Sequence, residues 1–480
     1  MKRTHLFLVS LGFLFSFSAF AQVSGNNKPN ILIIFTDDHR YLDVHALGNK
    51  IIQTPNMDML VENGTTFTHA SCLGGKHGAL CVVSRAGLMT GRFMNSLLGG
   101  ADVIPPEQIM MPEHLRQYGY KTFATGKWHN NKESHVRAFD EADNIFFGGM
   151  HFPNVGGHEH AQLFHFDPTG KYPKEAMWSA EKYSSTMYAD ATIDYLNKNK
   201  DNQQPFFAYV TFTSPHDPRT PPPPYDKMYD PKDIPLPKNF LPKHPFDNGE
   251  MDVRDEKLLP TPRTPDMIKK ELALYYGMIT EVDAEIGRIL ETLKANGQYE
   301  NTLIIFAGDN GLAVGSHGLI GKQSVYDHSM RVPLVISGPN IPKNKRNDAL
   351  CSLSDIFPTV CDYLKIEKPQ SAEGKNLLNA INKPKEVFRD NIYYKYRDIQ
   401  LSVRTHTDWK LIKYNVNGVQ HQQLFNLKRD PFETKNLADS KKYQGKLAEL
   451  TEILKKEMVF YHDDLDINKP NWNKVVKKEK

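Results

Sequence analysis

Four oxygen-bearing side chains stand just past the ends of two apolar runs in this chain. Asp37 and Asp38 follow Asn30–Thr36 (NILIIFT), and Asp309 and Asn310 come soon after residues 302–306 (TLIIF). Hard oxygen donors of this kind suit Ca²⁺ or Mg²⁺ rather than Zn²⁺. Asp and Asn also supply caps and turns, but three carboxylates brought to one place repel each other unless a cation joins them. Two further apolar runs end in ionisable groups. Residues 122–125 lead into Gly126-Lys127-Trp128-His129, and residues 206–212 lead into Ser214-Pro215-His216-Asp217. Imidazoles so placed can serve as general acid and base. A thiol and a guanidinium stand four residues apart in Cys81-Val82-Val83-Ser84-Arg85, which continues Ala86-Gly87-Leu88-Met89-Thr90-Gly91-Arg92.

A short run that is apolar throughout reads as a strand buried on both faces, as in a parallel sheet. Ligands of open α/β sheets bind at the carboxyl ends of such strands. A fifth run, 332–337, closes on Gly338-Pro339 and carries no ionisable group. Helical spacing lies between the runs: 57–63 with Asn56 as cap, 264–296 with Thr264 or Asp266 as cap, and 356–364 with Asp355 as cap. The alternation predicts a mostly parallel sheet with helices on both faces. Residues 130–175 and 214–264 read as long loops that wall a pocket. Past Lys385, short runs at 392–396, 401–404, 409–414 and 423–427 suggest a small antiparallel sheet, followed by a helix over 443–461.

The start of the chain has Lys2-Arg3, an apolar run of about 15 residues and Ala19-Phe20-Ala21, the pattern of a cleaved secretory signal peptide. The run is too short to span a bilayer comfortably, and no later stretch is long and apolar enough. The expected organisation is therefore a signal peptide at 1–21, a catalytic domain at 22–384 and a C-terminal subdomain at 385–480, in a periplasmic or secreted protein with no stable membrane insertion. A formal net charge of +3 without long blocks of one sign gives no reason to expect nucleic acid. Four cysteines are too few for a disulfide scaffold; Cys351 and Cys361 could pair or remain buried thiols.

The stretch from Cys81 resembles the sulfatase signature, in which Cys-x-Pro-Ser-Arg is followed by Thr-Gly. Val83 stands where that family usually has Pro, sometimes Ala; both Pro and Val favour extended backbone. Further features of the family follow in order along the chain: Thr54-Pro55-Asn56, Gly126-Lys127-Trp128-His129, Ser214-Pro215-His216, Gly308-Asp309-Asn310-Gly311, Gly315-Ser316-His317-Gly318, Gly321-Lys322, Arg331-Val332-Pro333 and the run from Asp430 to Leu437. The resemblance implies an alkaline-phosphatase-like fold, one Ca²⁺ on Asp37, Asp38, Asp309 and Asn310, and oxidation of Cys81 to formylglycine, itself a metal ligand. A formylglycine-generating or radical maturation enzyme would make that conversion. The hydrated aldehyde attacks sulfur with one hydroxyl and expels the bound sulfate as the aldehyde reforms. By the same resemblance Arg85 orients the modified residue, Lys127 and Lys322 hold sulfate, His129 removes a proton from the diol and His216 protonates the departing alcohol.

Asp217, Arg219, His317 and Arg397 are expected as substrate contacts, His317 alternatively as structural support for the Lys322 loop, with His151, His158, Glu159, His160 and His165 nearby. Polar groups of this kind suit a sulfated oligo- or polysaccharide such as an ulvan, galactan, fucan or glycosaminoglycan. Two rival readings share the fold: a phosphate or phosphonate ester hydrolase, and a catalytically silent glycan-binding protein if Cys81 stays unmodified.

Overall fold

The computed structural model describes residues 28–472, so the proposed signal peptide and residues 473–480 lie outside the described residues. Eight strands form the main sheet: β1 (Asn30–Thr36), β2 (Gly64–Ser71), β3 (Lys121–Lys127), β4 (Glu141–Phe146), β5 (Phe206–Thr211), β6 (Thr302–Gly308), β7 (Leu334–Ser337) and β8 (Lys345–Ser352). Their spatial order is β8-β2-β7-β6-β1-β5-β3-β4. Only β7 runs against its neighbours β2 and β6. Its C-terminal end therefore points to the opposite edge from those of β1 and β6, which is why the run at 332–337 brings no ionisable group to the site.

Central β1 shows why the apolar runs are continuous. Ile31, Ile33 and Phe35 belong to one core and Leu32 and Ile34 to the other, on the opposite face of the sheet. Helix α1 (Pro55–Glu62) does not use Asn56 as its cap. Asp283, on a long helix at Pro265–Ala295, accepts the amides of Asn56 and Met57 at 3.1 and 2.7 Å and so satisfies the open helix start from another element. That long helix is capped by Thr264, whose side chain accepts the Met267 amide. Asp355 does stand at the N-cap of Ile356–Tyr363, but its side chain makes no capping bond there; the carboxylate takes the Ser352 and Lys375 amides and a two-pronged contact from Arg389.

The region 130–175 is more regular than expected. It contains a helix at Lys132–Ala138 and the edge strand β4, whose first three residues are only half-buried, which accommodates Glu141 and Asp143. Cys81 lies in helix α2 (Leu80–Thr90), all eleven of whose residues are buried.

The C-terminal strands β9 (Asn391–Tyr396), β10 (Gln400–Thr405), β11 (Trp409–Val416) and β12 (Val419–Asn426) form an antiparallel meander. Gly74–Gly75, shortly before α2, adds to its edge beside Lys395 and Tyr396. Ile392, Leu401 and Leu411 share one core with Ile31 and Phe35. Helix Gln444–Phe460 covers the meander with Leu447, Leu450, Leu454 and Met458. The four cysteines are unpaired and buried, so Cys351 and Cys361 form no disulfide. Among the described residues no helix is long and apolar enough to cross a membrane.

Candidate active site

The C-terminal ends of β1, β3 and β6 and the first turn of α2 converge on one buried cluster. Ligand atoms of Asp37, Cys81 and Asp309 all lie within 4.8 Å of one another, as do those of Asp37, Asp38 and His216. Asp38 donates its amide to Asp309 Oδ1 at 3.0 Å, and Asn310 Nδ2 donates to Asp38 Oδ1 at 2.7 Å. Asp37 Oδ1 and Asn310 Oδ1 are buried without a hydrogen-bond partner. Unpaired buried oxygens are costly, and two of them beside three carboxylates fit a hard divalent cation. Asp38 also holds φ at +61°, a left-handed conformation that is strained for a residue with a side chain.

Three cations interleave with these acids. Lys127 Nζ donates to Asp37 Oδ2 and, at 2.5 Å, to the Gly149 carbonyl. Lys322 Nζ donates to Asp38 Oδ1 at 2.7 Å. Arg85, one helical turn after Cys81, donates to Asp309 Oδ2 at 3.0 Å and to the Lys127 carbonyl at 2.8 Å. Burial opposes the charge on Lys322, but Asp38 and its acidic neighbours keep its pKa well above the usual value. Burial, joined by the charge on Asp37, raises the Asp309 carboxyl above the usual carboxylate range, against the pull of Arg85 and Lys127. The Cys81 thiol is pushed up to about 11, chiefly by burial. As an ordinary thiol it is therefore a poor nucleophile at neutral pH.

Gly126 explains how Lys127 and His129 reach the cluster. Its φ is +89°, and a Cβ there would lie 1.7 Å from the Thr211 carbonyl of the neighbouring strand. His129 sits at φ +68°. Burial, with Lys127 and Arg85 nearby, holds its pKa well below the usual imidazole range, so the ring is neutral. His216 lies across the cluster, with Nε2 at 3.6 Å from Asp38 Oδ2 and Nδ1 at 3.2 Å from Asp217 Oδ1. Burial and Lys322 pull its pKa down; Asp38, Asp217 and Asp37 outweigh them and raise it.

The expected substrate contacts divide differently. Asp217 is held by both terminal nitrogens of Arg254, at 2.5 and 3.0 Å, and steadies His216. Arg219 is buried and paired with Glu271 at 2.6 Å. His317 is turned away: it contacts the Glu433 carbonyl and stacks on Tyr326, with ring centroids 3.9 Å apart. In each case a partner from a distant segment consumes the group. Arg397 remains half-exposed, paired with Glu250 and close to Gly78, three residues before Cys81. Of the histidine loop, His158 reaches the His216 carbonyl at 3.1 Å from behind. Two supports were not singled out in the sequence, Arg254 and Glu256. Glu256 accepts the amides of Ile320 and Gly321 and so holds the Lys322 loop. Their only local signal is the charged run Arg254-Asp255-Glu256 within a Pro-rich insertion.

The model of the family described as Sulfatase matches residues 29–366. A second, described as N-sulphoglucosamine sulphohydrolase, C-terminal, matches residues 315–459. An arylsulfatase of Clostridium perfringens is 30% identical over 468 residues, covering 90% of this chain and 94% of the relative. An N-acetylglucosamine-6-O-sulfatase of Bacteroides thetaiotaomicron is 26% identical, covering 92% and 88%. A structure solved with its substrate D-glucosamine-2-N,6-O-disulfate superposes with a TM-score of 0.73 at 23% identity, covering 91% and 99%. The chain belongs to the sulfatase family, as a type I sulfatase of the alkaline-phosphatase-like superfamily that hydrolyses sulfate esters.

Proposed function

We propose that this sulfatase is exported and removes sulfate from a carbohydrate during breakdown of a sulfated polysaccharide, using formylglycine made from Cys81 and one bound Ca²⁺. The observation that carries the reading is the set of three buried cations, Arg85, Lys127 and Lys322, gathered with the α2 N-terminus around Cys81. A helix N-terminus and fixed cations are a ready-made anion site. Glycan substrates are supported by the sulfated sugars named for the Bacteroides relative and the superposed structure. Export is supported by the N-terminal sequence pattern.

Hydrated formylglycine at position 81 would supply a hydroxyl nucleophile, and Asp37, Asp38, Asp309 and Asn310 would hold a Ca²⁺ that lowers its pKa. The remaining chemistry belongs to side chains already in place. Lys127 and Lys322 bind sulfate oxygens and oppose the charge that builds on them, where preorganised cations act most strongly. Arg85, locked to Asp309 and the Lys127 carbonyl, orients the residue at position 81. His216 donates a proton from Nε2 to the leaving alcohol oxygen, oriented through Nδ1 by Asp217. Neutral His129 accepts a proton from the group at position 81 so that sulfate can leave.

The test is sulfate release from defined sulfated oligosaccharides, with and without chelator, beside matched phosphonate esters. The peptide holding Cys81 from a maturation-competent host should weigh about 18 Da less than its unmodified form, the thiol-to-aldehyde difference. Faster turnover of phosphonates would reassign the substrate. An unmodified peptide that binds glycans without turnover would mark a silent homologue.

A further inference from the structure

A cavity of about 360 Å³ opens where three distant segments meet: residues 40–51 after β1, residues 235–239 of the Pro-rich insertion, and residues 431–433 after the C-terminal meander. No residue assigned to metal, sulfate or proton transfer lines it. Its carboxylates are already neutralised. Asp43 is paired with Arg40, Asp327 with Arg404 and Lys410, and Glu433 with Lys410. Its remaining cations are not. Among the described residues no carboxylate lies within ion-pair distance of Lys50, Lys238 or Arg331. Lys238 sits 4.9 Å over the Phe432 ring. Arg331 lies 3.7 Å over Tyr41, contacts that side chain and donates through Nε to the Thr68 carbonyl.

The walls between these cations are apolar, with Pro235, Leu236, Pro431 and the buried ring of Tyr276. A sugar ring has the matching chemistry: C–H faces for the walls, and a sulfate or carboxylate substituent for the cations. The volume is that of an ordinary small-ligand pocket. Inorganic sulfate is small enough to meet the cations without using the walls. The cavity also adjoins the loop that carries the metal ligands. Tyr275, next to the wall residue Tyr276, donates its hydroxyl to the Asp38 carbonyl and accepts the Arg40 amide.

We infer that this cavity is a second binding site for an anionic sugar unit, one that holds a polymeric substrate away from the point of cleavage. The inference rests on the glycan reading above. The experiment uses the full chain as Cys81→Ala, which binds without turnover, and titrates it with a heparin-derived hexasaccharide, its desulfated counterpart and inorganic sulfate. Lys50→Ala/Lys238→Ala is added in the same background; both side chains are exposed, so the fold should be kept. The expected result is that the double variant binds the sulfated hexasaccharide about tenfold more weakly. The desulfated sugar should bind poorly to both proteins. In active enzyme the double variant should raise KM for sulfated polymer and leave turnover of a sulfated monosaccharide unchanged. Equal hexasaccharide affinity in the two proteins would overturn the inference, as would displacement of the sugar by inorganic sulfate at comparable concentration. Failure of the glycan reading shows separately, as absence of sulfate release from any glycan by the active enzyme.

Discussion

Replacing Lys322 by Met tests whether the acidic cluster is a cation site. Lys322 Nζ lies 2.7 Å from Asp38 Oδ1, with both side chains almost wholly enclosed. Removing one partner of a buried pair costs about 3–5 kcal/mol, because the other charge loses its compensation. Asp38 keeps its bond from Asn310, which places the expected loss near about 3 kcal/mol in metal-free protein. Added Ca²⁺ should narrow the gap between variant and parent. The ion compensates Asp38 in both, and it binds the variant more tightly because one competing positive charge is gone. Lys395 provides the control. It lies on β9, 2.7 Å from Asp463, and both side chains are fully buried. Lys395→Met should lose about 3–5 kcal/mol that Ca²⁺ does not restore. Urea unfolding of the three proteins, in chelator and in Ca²⁺, measures both gaps. A Lys322→Met deficit that stays constant or widens with Ca²⁺ would refute the cation site. The same substitution should lower sulfate release by about 10²–10³-fold, the usual effect of removing one preorganised charge.

Cys81→Ala should abolish turnover while costing only about 1 kcal/mol of stability, since it removes one buried atom; sulfate release persisting at the parent rate would exclude position 81 as nucleophile. Gly126→Ala should destabilise by more than about 3 kcal/mol, because the new Cβ meets a backbone carbonyl at 1.7 Å and a positive φ; unfolding at the parent denaturant concentration would contradict that geometry. Gly149→Ala puts a Cβ 3.1 Å from His129 Nε2, so kcat should fall by about tenfold or more with little change in melting temperature. Glu281 is buried with neither carboxylate oxygen hydrogen-bonded, and burial, with Glu285, raises its pKa well above 4.5. The folded state then keeps a proton that the unfolded state releases, so stability falls as pH rises above about 4.5. Glu281→Gln should therefore gain on the parent progressively from pH 5 to pH 8, and a pH-independent difference would show that Glu281 is already ionised in the fold.

The legible parts of the sequence were those where one local rule acts without competition. β1 and β6 sit between two cores, so their runs are apolar at every position. The helix Pro265–Ala295 keeps its period and its Thr264 cap. β2 (GTTFTHAS) is almost entirely buried yet reads as polar, because the Thr65 and Thr68 hydroxyls donate to the Pro342 carbonyl and Asp348. α2 is short and carries two consecutive valines, which weakens the helical signal; packing on every side imposes the helix. At the site, the acids, lysines and histidines at strand ends could be read from their positions. The fates of Asp217, Arg219 and His317 could not, since each is decided by a partner supplied from far along the chain: Arg254, Glu271 and Glu433.

The pairing of Gly74–Gly75 with Lys395 and Tyr396 has a consequence in time. Synthesis proceeds from the N-terminus, so Cys81 leaves the ribosome long before the strand that completes the approach to its helix has been made. Until then the segment ahead of α2 has no neighbour on that edge, and the core shared with β9–β11 is open. Once the last quarter of the chain docks, Cys81 is 1% exposed. The order of translation thus divides the life of this residue into an interval in which other proteins can touch it and a permanent one in which the folded chain encloses it.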